Sequence, residues 1–402
     1  MTYVAPTPDE LIDQLNLRDA PDIDQALMSI CNAEFDAEDR PQDLQLAFNC
    51  VRAILMRHWD NPDPSVQKHV AEALLRRGQL LVSEKYIDAA RRDFEEIWAR
   101  YKDSTETEVR RAVAGGLLEV GTLEEELGNK IAAQKWYELT SHYENDTDNS
   151  TLVRVVRAQG NACDILIDRD WMDPAIEKIH WLRDRWGNHP EYWIRRRIAN
   201  LLVAKGNGLI ENEERSAEAP QALEEALSYA EEALTPPVYF IQADARLGKC
   251  RALQRLESYL STIQFAEETE KWAELLEASI SKEEYDYVRR RIDLIYLTKA
   301  GCLHALGRDE EALIAFDSSG VGLDQISDDP DNTISTLKKL TTQVDILCEL
   351  RRWDEAEAFH SNIMKRIISL GMPKKIEVFA YAAMIGANIS MARRSAGLPD
   401  PE

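Results

Sequence analysis

VRRAVAGGLLEVG, residues 109–121, places valines four apart on one helical face and an arginine pair between them. The same frame returns in VQKHVAEALLRRG (66–78), IRRRIANLLVAKG (194–206) and VRRRIDLIYLTKAG (288–301). In the first three a β-branched residue leads a glycine by twelve positions, as Val66 leads Gly78, Val109 Gly121 and Ile194 Gly206; in the fourth the small residue is Ala300. A second β-branched residue, Val70, Val113, Ile198 or Ile292, follows four positions later on the same face. A pattern of this kind that recurs along a chain is the mark of a repeat architecture.

A second helix follows each of these after a short break, with a small residue and then an aromatic four positions on: Ala90 and Phe94, Ala133 and Tyr137, Ala312 and Phe316. The small residue admits a close helix and the aromatic fills the groove beside it. These second helices end in RHW (57–59), ARY (99–101), SHY (141–143) and DRW (184–186). Loops such as DNPDPS and NDTDNS then supply N-cap side chains and first-turn prolines. No alternating apolar pattern of useful length marks a strand, so the chain is expected to be all-α.

Taken together, the small residue of the first helix, the turn glycines Gly128 and Gly307, the alanine of the second helix and its aromatic resemble a tetratricopeptide-repeat array. The spacing departs from that family's 34 residues, since Val66 to Val109 is 43 and Val109 to Val153 is 44. The chain looks most like the long-helix bacterial variant. The resemblance implies a right-handed α-solenoid of stacked antiparallel hairpins, with each first helix lining a concave surface. It also implies an adaptor or sensor scaffold, of the kind that elsewhere forms the sensing half of larger regulatory ATPases.

The expected hairpins are 22–59, 64–103, 106–146, 150–188, 190–235, 237–282, 284–320 and 333–371. Residues 1–42 form an N-terminal segment with the first capping helices, 43–371 the array, 374–395 a capping helix that uses Ile376, Phe379, Ala383 and Ile385, and 396–402 a tail. Two insertions stand out, at 206–221 and 318–333.

With 72 acidic and 48 basic residues the net charge is −24, which repels nucleic-acid backbones and anionic membranes. No apolar run is long enough to span a bilayer, and MTYVAPTPDE does not read as a secretory signal, so a cytoplasmic protein is expected. Cys31, Cys50, Cys163, Cys250, Cys302 and Cys348 show no paired spacing and read as packed thiols. There is no phosphate loop, dinucleotide fingerprint, nucleophile elbow or metal-binding histidine pair, so neither enzyme nor cofactor is expected. His58 and His142 stand where Arg100 and Arg185 stand in sister repeats, which suits a cation at a helix C-terminus.

Two positions before each core β-branched residue, almost opposite the buried face, lie Lys68, Arg111, Arg196 and Arg290. Seven positions further on stand Leu75, Leu118, Val203 and Leu297. Cations beside exposed aliphatics would suit an acidic or carboxylate-ended protein or peptide partner, with His304 within reach. Equally, the cations have local acids to pair with, such as Glu191 for Arg195, Glu106 for Arg110 and Asp286 for Arg290, or acids on a neighbouring hairpin. Trp193 and Tyr287 directly precede core residues and are expected to be half-buried. The alternative functions are a nucleic-acid-associated regulator, through arginine and aromatic stacking, and a self-assembling scaffold.

Overall fold

The computed structural model describes residues 5–35, 44–234, 238–326, 329–370 and 376–398, and all regular structure among them is helical. Two compact units, Met1–Leu201 and Leu202–Glu402, divide the chain. The first holds α1 (Pro8–Gln14), α2 (Ile23–Phe35), α3 (Leu44–His58), α4 (Pro64–Ser83), α5 (Ile87–Tyr101), α6 (Thr107–Glu126), α7 (Lys130–Leu139), α8 (Asn149–Asp168), α9 (Met172–Trp186) and the start of α10 (Tyr192–Glu211). The second holds the end of α10, then α11 (Ala219–Ala233), α12 (Tyr239–Arg255), α13 (Tyr259–Glu277), α14 (Lys282–Ala305), α15 (Asp309–Ser318), α16 (Pro330–Glu349), α17 (Trp353–Ser369) and α18 (Ile376–Ser395).

Within each unit successive helices pair as hairpins and first helices also pack on first helices, as α4 does on α6, α6 on α8 and α12 on α14. The repeated glycine explains the hairpin geometry. A Cβ built on Gly78 would overlap the Phe94 ring, and one on Gly121 would overlap Tyr137. Both rings are buried, at 1% and 0% exposure, so the missing Cβ is what lets the second helix seat its aromatic against the first.

The turns that close the hairpins are also alike. Lys85, Gly128, Asp170, Glu257, Gly307 and Arg351 all take positive φ, between 55° and 79°. In each case the next residue's N–H donates to a carbonyl six residues from it by inclusive count, as Asn129 does to Glu124 and Trp171 to Leu166, which satisfies the orphan carbonyls of the ending helix. Four of the six positions carry a side chain where glycine would be unstrained. Helix starts follow the loop residues: Asp63 accepts from the Ser65 N–H at 2.9 Å ahead of α4, and Ser281 forms a capping box with Glu284 ahead of α14.

Residues 206–221, which stand out in the sequence as an insertion, are largely helical. α10 runs on to Glu211, Gly206 gives room for the Leu223 side chain of α11, and only a short turn with Arg215 paired to Glu218 separates the two helices. Within the second insertion, Val321 and Ile326 are buried in a core that includes α14 to α18. Of the residues expected to make 374–395 a cap, Ile385 is buried, whereas Phe379 is 39% exposed and Ala383 is exposed, because the buried stripe of α18 runs through Val378, Ala382, Ile385 and Ile389. Residues 327, 328, 374 and 375, and the side chain of Ile376, lie outside the described residues.

All six cysteines are buried thiols, and burial pushes Cys163 and Cys250 up to about 12. Among the described residues no helix is long and apolar enough to cross a membrane.

Candidate binding groove

In the first unit, α8 and α10 present parallel stripes. Val153, Arg157 and Asn161 recur every four residues on α8, while Trp193, Arg196, Arg197 and Asn200 follow helical spacing on α10. The cleft that they line has a volume of about 520 Å³. Three guanidinium groups line it and no carboxylate does. Trp193 is 56% exposed, with the Arg196 guanidinium 5.0 Å from its ring centroid. Arg197 is tied back by Asn161 at 3.0 Å and Asp164 at 2.6 Å, and it crosses α8 at Gly160, where a Cβ would overlap the guanidinium. Arg157 is exposed and forms no ion pair among the described residues.

A second cleft of about 480 Å³ shares Val153, Arg157 and Trp193 with the first and extends to α4 and α6. Leu75 and Leu118 are on its wall, Arg154 joins Arg157 as its second cation, and Glu119 and Glu191 supply negative charge. Burial lowers the pKa of Arg154, and repulsion from Arg111 and Arg76 lowers it further. A cation in that setting is stabilised by an incoming anion.

The eight residues singled out in the sequence meet different fates. Arg196, Leu75 and Leu118 come to this pair of clefts. Arg111 is engaged by Asp148 through bonds of 2.9 and 3.1 Å, and Asp148 at the same time caps α8 by accepting from the Thr151 N–H and hydroxyl. Burial raises the Asp148 carboxyl, but Arg111 and Thr151 outweigh it and hold the group at about 2. Lys68 is half-buried and contributes to lowering the Asp22 pKa. Arg290, in the second unit, is exposed with no ion pair among the described residues.

The aliphatic row is not exposed as the sequence suggested. Leu75 is 9%, Leu118 7% and Val203 7% exposed, and Leu297 is half-buried against a core cluster. The reason is the packing of first helices on one another: Leu75 methyls would lie 3.1 Å from a Cβ on Gly115, and Leu118 joins Tyr137, Ala158 and Ile165 in one cluster. Trp193 and Tyr287 depart in the opposite direction, at 56% and 55% exposure. Each stands beside a core residue but turns outward under an arginine, Arg196 and Arg291 respectively. His304 lies 2.6 Å from Asp309, and His58 lies 2.7 Å from Asp24 of α2, so both have a specific partner beyond a helix end.

Arg154 and Arg157 escape the sequence frame because a β-branched lead residue selects Val153. Burial selects Leu152 instead, in register with Val109, and puts Arg154 in the place of Arg111. The readable signal was Arg154 standing two positions before the buried Val156.

No family model matches this chain, and no curated protein does. Among solved structures it is similar to an engineered protein (17% identity, TM-score 0.46, covering 96% of this chain and 90% of that one). It is similar too to the designed armadillo repeat protein YIII(Dq)4CqI (17%, 0.39, 62% and 100%) and to a Rap protein complexed with competence and sporulation factor (13%, 0.39, 92% and 98%). The all-helical hairpin fold rests on the packing within each unit, not on likenesses this loose.

Proposed function

We propose that this chain is a protein-interaction adaptor of the long-helix tetratricopeptide type and that it receives an acidic segment of a partner protein in the groove between α8 and α10. The observation that carries this reading is the composition of the cleft wall: Arg157, Arg196 and Arg197 line it and no carboxylate does, in a chain of net charge −24. Guanidinium forks suit carboxylates, and Trp193 offers an apolar platform beside them. Asn161 and Asn200 can donate to and accept from the main chain of an extended peptide. In this reading the protein acts in the cytoplasm by binding and not by catalysis.

Arg157→Glu with Arg196→Glu tests the proposal, because both side chains line the cleft and the change reverses its charge. A partner captured from native lysate by the wild type and lost by this variant, with unchanged circular dichroism, supports the groove. Capture that is equal in both refutes it. Retention of nucleic acid by the wild type, falling steeply with salt, would favour the regulator reading.

A further inference from the structure

α18 has two apolar faces, and α16 and α17 cover one of them. Val378, Ala382, Ile385 and Ile389 are buried, at 2% exposure or less. On the opposite face Ala380, Ala383, Met384, Ala387 and Met391 are exposed, Met384 at 43% and Met391 at 61%. From Val378 to Ala392 the helix has no charged residue, whereas 30% of the whole chain is charged. Glu377 precedes the stretch, and Arg393 and Arg394 follow it.

We infer that this face of α18 pairs antiparallel with α18 of a second copy of the chain, giving a two-fold symmetric dimer. The sequence of the face fits itself under that operation. With the axis between Ile385 and Gly386, Met391 comes opposite Ala380 and Met384 opposite Ala387, so that each large side chain meets a small one at both ends. The same operation sets Glu377 opposite Arg394 of the second copy, an opposite-charge pair at each end of an uncharged seam. A parallel pairing would oppose methionine to methionine and Glu377 to Glu377. For a chain of net charge −24, an uncharged face flanked by matched charges is the place where two copies approach with least repulsion. The alanines let the helices come close. One helix per copy makes a small interface, so the affinity is expected to be on the order of micromolar.

Sedimentation velocity on the full chain, from low to high micromolar concentration, is the test. The wild type should shift from monomer to dimer. Met384→Glu with Met391→Glu should remain monomeric with unchanged circular dichroism, since both side chains are exposed. Glu377→Arg should weaken the dimer about tenfold, and adding Arg394→Glu should restore it. Orientation is read by cross-linking. At 1.5 Å of rise per residue, a cysteine at Ala387→Cys lies within about 5 Å axially of its symmetry mate, while Glu377→Cys lies about 25 Å from its own. The first should therefore oxidise to a covalent dimer and the second should not. A wild type that stays monomeric, a dimer that survives the methionine substitutions, or equal cross-linking at both positions would overturn the inference.

Discussion

The two units use the same helical hairpin to build pockets of opposite character. In the first, the cleft between α8 and α10 carries Arg157, Arg196 and Arg197 with no acid in its lining. In the second, a pocket of about 260 Å³ is lined by Glu267, Glu270 and Glu311, and its cation, Lys299, is held by Glu270 at 2.8 Å and Glu267 at 3.7 Å. The packing beneath differs as well. Tyr137 sits where Gly121 leaves no Cβ, whereas the corresponding residue facing Phe316 is Ala300, and both Phe316 and Ala300 are buried. Fold and surface charge are thus set by separate positions of the repeat. The small residue fixes how closely two helices approach, and residues off the buried stripe, such as Arg157 beside Val156 and Arg196 two places before Ile198, set what the exposed face attracts.

Removing the aromatic should break this contrast most severely. Tyr137→Ala empties a fully buried site and should cost about 3–5 kcal/mol in chemical denaturation. Gly121→Ala, which drives a Cβ into that ring, should cost about 1–3 kcal/mol, while the reverse change Ala300→Gly in the second unit should cost about 1 kcal/mol. A Gly121→Ala variant as stable as the wild type would mean that the glycine is not what sets the close approach. For the pockets, Arg157→Glu with Arg196→Glu should weaken an acidic partner by at least tenfold, about 1.4 kcal/mol, and Lys299→Glu should leave it unchanged, as read by titration calorimetry. The reverse ranking would move the binding site to the second unit.

Smaller effects attach to the link between α6 and α8. Arg111→Ala should destabilise by about 1 kcal/mol, because the pair with Asp148 is partly exposed. The folded Asp148 carboxyl, at about 2, lies below its unfolded value, so its contribution is complete above about pH 4 and is lost as the pH falls toward 2. Acid denaturation of Arg111→Ala should show a shallower fall over that window than the wild type. Least of all, Lys85→Gly should stabilise by about 0.5–1 kcal/mol by relieving a positive φ, and Gly128→Ala should do the opposite by a similar amount, both measurable as shifts in Tm.

The hairpins were legible because their signal is steric and local: Gly78 with Phe94, and Gly121 with Tyr137, lie within one repeat and recur. The groove was legible only in part. Arg196 follows from helical phase alone, but the burial of Leu75 depends on Gly115 of the next first helix, which no single helix wheel contains. Arg154 was hidden by an ordinary substitution, Leu152 in a place where sister repeats hold Val or Ile. The engagement of Arg111 by Asp148 required knowing that a loop residue of the next hairpin folds back as a cap. Contacts between repeats, not within them, are what the linear pattern leaves out.

The buried thiols can report on motion in the helices that hold them. Cys31, Cys50, Cys163, Cys250, Cys302 and Cys348 sit one each in α2, α3, α8, α12, α14 and α16, all shielded in the native state. Each is a built-in clock for the opening of its own helix, since an alkylating reagent reaches it only when that segment transiently unfolds. Peptide mapping of alkylation over time would rank the helices by local stability without introducing a single mutation, and a bound partner would slow the clocks of the helices that it holds.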